Sequence, residues 1–266
     1  MSQKKESMNL IVKSFIHLIN NPKTKGVDRY IASRFIQDYQ KVYDLSISEI
    51  SVFFHVSYSQ MSRFVRNIGF DSYREFRESL LYHGSSDRHS DIQVKSPISM
   101  LELKNNIIEE IEYFFHYFDM TQLYALIQDL HQYKHIAFFG LLNSGNVARD
   151  IQMNLASKGL ICVCYDDLFE QLEFMKNADK QTLIVIISVS GDYLLGNDYA
   201  RYYKVQNILK NSMAKKIMIT KNPKIKELDM IDNVIQLPIS HHYYNHTLQC
   251  FADLLTMYWG CNEIKY

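Results

Sequence analysis

Short polar, aromatic and cationic side chains line one face of residues 57–68, where a helix is expected. The apolar residues of this stretch recur at positions i, i+3, i+4 and i+7, which is typical of a core-facing helix; they are Met61, Phe64, Val65 and Ile68. The opposite face carries no acidic residue; its members are Ser57, Tyr58, Ser59, Ser62, Arg63 and Arg66. Hydroxyl and guanidinium groups bond to phosphate oxygens and base edges, so this face could read DNA in the major groove. The spacing alone is equally consistent with a solvated face on an ordinary helical bundle.

This candidate recognition helix follows a second short helix, and both carry the same start signal. Ser46 with Glu49, and Ser57 with Gln60, each match a capping box. In that motif the serine hydroxyl and the side chain three residues later each bond to the other residue's backbone N–H. Gly69 comes after the second helix, where a left-handed residue often ends a helix. Two short helices separated by so brief a turn are what a helix-turn-helix requires.

Two later segments could bind an anion. Residues 135–145 run from an apolar stretch through a turn, here called the first loop (residues 140–144), into a helix. Residues 188–193, the second loop, follow the most apolar stretch of the chain. Backbone N–H groups at a helix start bind phosphate together with serine hydroxyls, and the candidate residues are Ser144, Ser188, Ser190 and Gly191. Each loop taken alone is more often just a turn.

The elements that must hold these residues change in kind along the chain. Residues 1–83 have helical periodicity, which predicts an all-α N-terminal domain, and residues 84–97 have the composition of a linker. After further helices, apolar stretches of strand length alternate with helical ones; they are 135–139, 160–165, 182–188, 216–220 and 233–237. This alternation predicts an α/β domain over 98–266, with a five-stranded parallel sheet covered on both faces. Both loops should meet at the carboxyl edge of that sheet.

The composition is that of a globular protein, because 47% of the 266 residues are hydrophobic and 22% are charged, which argues against disorder. The net charge of zero conceals an asymmetry, since residues 1–83 hold 12 Lys and Arg against 8 Asp and Glu. A basic half fits a nucleic-acid-binding module, although such a split also arises by chance. No signal peptide and no apolar stretch of membrane-spanning length is evident, so we expect a cytoplasmic protein without membrane contact.

Metal chemistry is not indicated by the cysteines and histidines. Cys162 and Cys164 alternate on an expected strand, so they should share one face as buried free thiols. His242 and His246 would share a helix face, but no third ligand stands at suitable spacing, which favours a pocket rim or a surface pair over a metal. The sequence therefore predicts no metal, no cofactor and no catalytic residue.

Residues 46–80 resemble the helix-turn-helix of the RpiR family of bacterial regulators. The likeness is carried by Val56-Ser57, Ser62-Arg63-Phe64 and Ile68-Gly69-Phe70, followed by Tyr73 and Phe76. Ser51 departs from the family, which usually has alanine packed between the two helices, and a small serine should still fit. The resemblance implies a regulator that binds a double-stranded DNA operator. Helix-turn-helix proteins usually read two half-sites as symmetric dimers, so a homodimer is expected.

Residues 121–240 resemble the SIS domain, whose flavodoxin-like, three-layer α/β/α fold binds phosphosugars. Gly140 and Ser144 match the first loop of that family, and the second loop is matched by Ser188, Ser190 and Gly191. The resemblance implies that these loops hold the phosphate of a sugar.

Three departures imply an altered site. Leu142 replaces the second glycine of the first loop. Tyr193 replaces a threonine that helps to hold phosphate, and we expect its side chain to fill the space of a phosphate oxygen. The stretch 241–244, His-His-Tyr-Tyr, replaces a glutamate and an arginine that usually contact the sugar.

The sequence favours a transcriptional regulator of sugar or amino-sugar metabolism, with a SIS domain that dimerises and senses a phosphosugar effector. One alternative is a phosphosugar isomerase with an appended domain, and another is a regulator whose SIS domain only dimerises. An apolar stripe along residues 107–118 would pack against its own domain, form a dimer contact, or do both.

Overall fold

The computed structural model describes residues 6–84, 99–196, 204–240 and 244–259. The chain divides into two compact units, Met1–His89 and Ser90–Tyr266. The expected linker, 84–97, lies almost entirely outside the described residues. The expected domain limits therefore stay predictions.

The first unit is built from helices. They are α1 (Glu6–Asn20), α2 (Gly26–Val42), α3 (Ile47–Phe53), α4 (Tyr58–Asn67) and α5 (Tyr73–Gly84). Phe35 of α2 is fully buried and its ring contacts four other phenylalanines, which are Phe15, Phe54, Phe64 and Phe76. Those rings come from α1, the end of α3, α4 and α5, so one aromatic cluster joins all five helices.

The second unit combines helices with a parallel sheet. Its elements are α6 (Met100–Tyr117), α7 (Met120–Gln132), β1 (His135–Gly140), α8 (Asn143–Ser157), α9 (Leu168–Asn177), β2 (Thr182–Ile187), α10 (Asp192–Leu195), α11 (Val205–Asn211), β3 (Lys215–Thr220), a 3-10 helix (Pro223–Glu227), β4 (Asn233–Gln236) and α12 (Tyr244–Tyr258). The strands pair in the order β1-β2-β3-β4, and every pair is parallel. Gly140 pairs with Ile187, and Ile187 with Ile219, so the loops after β1, β2 and β3 leave the sheet side by side.

The expected fifth strand, 160–165, is reduced to a single pairing position, so the described part of the sheet has four strands and that prediction was wrong. Val163 bridges to Ala137 of β1, and its N–H and C=O both bond to β1. The next acceptor that would face β1 is Tyr165 O, which instead accepts from Gln171 Nε2 at 2.7 Å. The same nitrogen donates to Gly140 O at 3.0 Å. The ladder stops there because a side-chain amide of α9 stands between the two backbones.

Side chains alternate along the strands between two cores. Ile136 and Phe138 of β1 join a cluster with residues of α6, α7, α8 and α12. Ala137 and Phe139 join the other cluster, with residues of α9, α10 and α11. Helices therefore pack on both faces of the sheet, and β2 is buried at every position.

The apolar stripe expected along α6 is divided between core and surface. Phe114 and Phe118 are buried and stack with ring centroids 4.9 Å apart, so they pack against their own unit. Ile108 and Phe115 are 41% and 56% exposed. A dimer contact through these exposed residues stays a prediction. Among the helices described, none is both long and apolar enough to cross a membrane.

Candidate DNA-binding face and ligand loops

Helices α3 and α4 both begin with the capping box expected from the sequence. Ser46 Oγ accepts from the Glu49 N–H at 3.3 Å, and the Ser46 N–H donates to Glu49 Oε2 at 2.7 Å. The corresponding distances for Ser57 and Gln60 are 3.2 and 2.8 Å. Hydrogen bonding to the side chain and backbone of Ser46 lowers the pKa of the Glu49 carboxyl below its ordinary value, because these bonds favour the charged form.

The turn between the two helices is closed by the backbone. His55 has a φ of 54°; its N–H donates to Val52 O, and the Val56 N–H donates to Ser51 O. This pair of bonds is a Schellman motif, which requires a left-handed residue. Gly69 ends α4 with a φ of 97°, which confirms the expected left-handed end.

Ser51 fits between the helices, as expected. The residue is 6% exposed, and its hydroxyl donates to Ile47 O at 2.6 Å. The serine therefore introduces no unpaired polar group where the RpiR family usually has alanine.

The residues predicted to contact DNA lie on the outward face of α4 and at its N-cap. All are exposed except Ser62, which is half-buried, and they are Ser57, Tyr58, Ser59, Ser62, Arg63 and Arg66. On the opposite side Met61, Phe64 and Val65 have no exposed area, as expected for core positions. We call this set of six residues the α4 face.

Some of the polar groups on the α4 face are already bonded to each other. Arg66 Nη2 donates to Ser62 Oγ at 3.0 Å, and Ser57 Oγ lies 3.0 Å from Ser59 Oγ. No hydrogen bond or ion pair to Arg63 occurs within the described ranges, so this guanidinium is the cation most available to a partner. It has five N–H donors in a planar fork, which suits phosphate and the acceptor edge of guanine.

Sequence reasoning missed a contact that holds α4 against α2. Asn67 Nδ2 donates to Asp28 Oδ2 at 3.0 Å, and Asp28 is 3% exposed in the first turn of α2. No local pattern marks this pair because 39 residues separate its members. The bond helps to orient the α4 face.

The first loop packs tightly against the end of β1. A Cβ atom on Gly140 would lie 2.7 Å from Ser144 C and 2.8 Å from Ser144 O, so a side chain there would displace backbone. Leu142, at the N-cap of α8, has a φ of 55° and a ψ of −125°. This geometry suits glycine, the residue that the SIS resemblance leads one to expect, and it is strained for leucine.

The start of α8 presents backbone donors at this loop. Within the described residues no side chain caps the helix, and Ser144 lies in its first turn with 8% exposure. The N-terminus of a helix is its electropositive end, so the first loop is suited to an anion.

The second loop is closed by its own serines. Ser188 Oγ accepts from the Tyr193 N–H at 3.2 Å, and Ser190 Oγ accepts from the N–H two residues later at 3.3 Å. Gly191 has a φ of 81°, and a Cβ there would come within 3.1 Å of Asn222 Nδ2. Sequence reasoning missed Asn222, which also donates to Ser190 O at 2.7 Å. Because Ser188 is an acceptor in this turn, its hydroxyl hydrogen can be donated to a ligand.

Tyr193 does not fill the space of a phosphate oxygen, so that expectation was wrong. Its side chain is 5% exposed and lies in the core cluster that contains α9, and its hydroxyl donates to Gln171 Oε1 at 2.7 Å. The ring is large and apolar, so burial beneath the loop is favoured once its hydroxyl has a partner. Burial also raises the pKa of the Tyr193 phenol, which keeps the hydroxyl a donor.

A fully buried carboxylate on α6 is bonded to Ser240 and to α12. Glu110 of α6 accepts from Ser240 Oγ at 3.0 Å and from Thr247 Oγ1 at 2.9 Å. These two hydroxyls flank residues 241–244, of which 241–243 lie outside the described residues. Glu110 therefore holds Ser240 and the first turn of α12 to α6.

The described residues contain no group of three or more His, Cys, Asp or Glu side chains placed to hold a metal ion. His246 is exposed, and His242 lies outside the described ranges. Cys162 and Cys164 pack against one core cluster, which confirms that they share a face. Burial raises the pKa of the Cys162 thiol to about 11, so it stays protonated at neutral pH and is a poor nucleophile or metal ligand.

Comparison with known proteins finds distant likenesses to this chain. No family model matches the chain. Over 193 residues it is 21% identical to an uncharacterised HTH-type transcriptional regulator in the aarA 3′ region of Providencia stuartii, covering 70% of this chain and 67% of that protein.

Two solved structures resemble the chain with a TM-score of 0.50. One is the Vibrio vulnificus NanR protein complexed with ManNAc-6P, which is 13% identical, with 92% of this chain and 90% of that chain covered. The other is the sugar isomerase domain of an RpiR transcription factor from Sphaerobacter thermophilus, which is 15% identical, with 61% and 90% covered. At these identities the likeness shows the fold. In fold the chain is similar to these two proteins, with a helical unit that contains the paired helices α3 and α4 and an α/β unit that follows it. This agrees with the fold that the sequence resemblance predicted.

Proposed function

We propose that this protein is a DNA-binding transcriptional regulator whose SIS domain binds a phosphosugar effector and catalyses no reaction. The observation that carries the proposal is the α4 face, which presents hydroxyl and guanidinium groups on a helix whose other side is locked into the core. The same chain carries two loops suited to an anion at one edge of its parallel sheet.

DNA binding is proposed for the α4 face. Arg63 would reach a base edge, because its guanidinium is exposed and unpaired within the described residues, and Arg66 would contact a phosphate. Tyr58, Ser59 and Ser62 would add short-range contacts in the groove. Ser57 would act mainly as the cap, since its hydroxyl already accepts from Gln60.

A sugar phosphate is the ligand class proposed for the loops. The residues proposed to bind it are Ser144, Ser188, Ser190 and Gly191, with the N-terminus of α8. The serine hydroxyls and the N–H groups at the start of α8 are donors that suit a phosphate monoester, whereas the Gly191 N–H already donates to Ser188 O at 3.1 Å. The NanR structure contains ManNAc-6P, so amino-sugar phosphates are the first to test. With Tyr193 buried, Leu142 remains the clearest alteration in the described part of the site.

The finer architecture is also part of the proposal. Helices on both faces of a parallel sheet support a flavodoxin-like, three-layer SIS domain. We propose that it forms a homodimer, with the exposed apolar residues of α6 as the candidate contact, because two copies would present two α4 faces to a symmetric operator.

A phosphosugar isomerase is the second candidate, since one structure of similar fold is described as a sugar isomerase domain. The helix-turn-helix unit favours the regulator. Turnover of a panel of sugar phosphates by the full chain would reverse this order.

The test is to select fragments of genomic DNA that the full chain binds, and to measure their affinity at several salt concentrations. We expect a small set of related sequences, with log affinity falling linearly with log salt as phosphate contacts release counterions. Adding an amino-sugar phosphate should change the affinity for those fragments. Equal affinity for unrelated duplexes would contradict sequence-specific regulation.

A further inference from the structure

We infer that Gln171 is a positioning residue for the candidate ligand site: its buried side-chain amide, completed by the Tyr193 hydroxyl, joins the first loop to the second before any ligand binds. The assignment of these loops to a ligand rests on the proposed function, whereas the junction itself rests on contacts within this chain. Neither residue was among the sequence-derived candidates for binding.

Gln171 uses its amide in three directions. Nε2 donates to Gly140 O at 3.0 Å and to Tyr165 O at 2.7 Å, and Oε1 accepts from Tyr193 Oη at 2.7 Å. The residue has no exposed area. A buried amide that loses a partner loses stabilisation that water cannot replace, so these bonds fix its orientation.

The bond from Gln171 to Gly140 O positions the first loop. Gly140 is the last residue of β1, and its Cα lies so close to the Ser144 backbone that a Cβ would overlap it. A shift of the Gly140 carbonyl would therefore move the first turn of α8, which contains Ser144 and the N–H groups proposed to bind phosphate.

The bond from the Tyr193 hydroxyl to Gln171 Oε1 positions the second loop. The Tyr193 N–H donates to Ser188 Oγ at 3.2 Å, while the phenol of the same residue reaches Gln171. Tyr193 thus holds a candidate ligand serine with its backbone and the first loop, through Gln171, with its side chain. A threonine at this position would be too short to reach the amide. The tyrosine hydroxyl therefore bonds to Gln171 in the core, whereas the threonine hydroxyl usual in SIS domains would help to hold phosphate.

The test is amide hydrogen exchange of the full chain, comparing wild type with Tyr193→Phe. Removing the hydroxyl leaves Gln171 Oε1 without its partner, and one net hydrogen bond corresponds to roughly 2- to 12-fold in an opening equilibrium. We expect exchange to accelerate by about 3- to 10-fold in residues 141–146 as well as in residues 188–193. Peptides from β2 should be unchanged.

The matched control is Tyr73→Phe, which removes a buried phenol that donates to Leu45 O at 3.0 Å in the first unit. It should leave both loops unchanged. Acceleration confined to residues 188–193 in Tyr193→Phe would overturn the inference, and so would a uniform increase of exchange across all strands.

A second variant, Gln171→Met, should accelerate exchange in both loops. Adding Tyr193→Phe to it should cause no further acceleration in the first loop. Additive effects would also overturn the inference.

Calorimetry separates this inference from the proposed ligand class. The probes are ManNAc-6P and inorganic phosphate. Tyr193→Phe should bind them about 3- to 10-fold more weakly than wild type, which matches the expected acceleration of exchange and corresponds to about one hydrogen bond. Tyr73→Phe should bind them as wild type does. Equal affinity in wild type and Tyr193→Phe would overturn the positioning role. If wild type binds neither probe, the ligand class fails and the exchange result alone decides the inference.

Discussion

Similar polar groups occur in the paired helices α3 and α4 and in the first and second loops. The hydrogen bonds of the two regions span different lengths of chain. In the helix pair, Ser46 and Ser57 bond to partners three residues away. In the loops, Gln171 reaches Gly140 across 31 residues and Tyr193 across 22. The capped starts of α3 and α4 should therefore tolerate changes elsewhere in the chain, whereas the first and second loops depend on how α9 packs.

The largest effect should follow a substitution that disrupts the packing of the first loop. Gly140→Ala places a Cβ against Ser144 backbone atoms, which cannot move without shifting α8. We expect the free energy of unfolding of the second unit to fall by about 3 kcal/mol, the upper part of the usual range for overpacking. Urea denaturation of the full chain, followed by probes in each unit, measures this change.

Two other glycines calibrate that result. Gly159→Ala meets no atom within 4 Å but keeps a φ of 87°, so its loss should be about 1 kcal/mol. Gly26→Ala, at the first position of α2, meets neither obstacle and should be neutral or slightly stabilising. If Gly140→Ala is no worse than Gly159→Ala, the first loop is not held by close packing.

The next effect tests the α4 face and concerns binding alone. Arg63→Ala should weaken operator binding by about 1–3 kcal/mol through loss of one base contact. Its unfolding free energy should change by less than about 0.5 kcal/mol because the side chain is exposed. Lys41→Ala removes an exposed cation from α2 and is the control. Equal losses in both variants would indicate a general charge effect.

A smaller effect tests the strained backbone of the first loop. Leu142→Gly and Leu142→Ala remove nearly the same packing, but only glycine relieves the positive φ. We expect the glycine variant to be more stable by about 1 kcal/mol in chemical denaturation. Gln37 is exposed within α2 and serves as the control site. There Gln37→Ala should be more stable than Gln37→Gly by about 1 kcal/mol, the reverse of the order at Leu142. Alanine favoured at both positions would show that Leu142 is unstrained.

The smallest expected effect is a pH dependence of stability that only one of the two capping boxes should show. Because the pKa of Glu49 is lowered in the folded chain, its contribution to stability is present above the ordinary glutamate value of 4.5 and is lost as pH falls through the folded value. Gln60 serves the other box without titrating. Wild type should therefore lose its stability advantage over Glu49→Gln in thermal unfolding as pH falls from about 7 to about 3. An advantage that does not change with pH would show that the cap does not depend on the charge.

Several features of the first unit could be predicted from the sequence because their determinants are local. The capping boxes, the left-handed Gly69 and the buried side of α4 involve residues within about four positions of one another, and helix geometry alone sets those distances. The RpiR resemblance then identified the arrangement as a helix-turn-helix. The contact between Asn67 and Asp28 escaped prediction because no periodicity relates α2 to α4.

In the second unit the sequence determined the order of strands and helices and the place of both loops, since alternating buried strands and helices allow few arrangements. Only the tertiary structure decided that the fifth strand pairs at Val163 alone and that Tyr193 lies beneath the site. Both outcomes depend on Gln171, whose amide meets three partners from distant parts of the chain. A buried amide is stable only where each of its polar atoms has a hydrogen-bond partner. The partners of Gln171 come together only when the surrounding elements have packed.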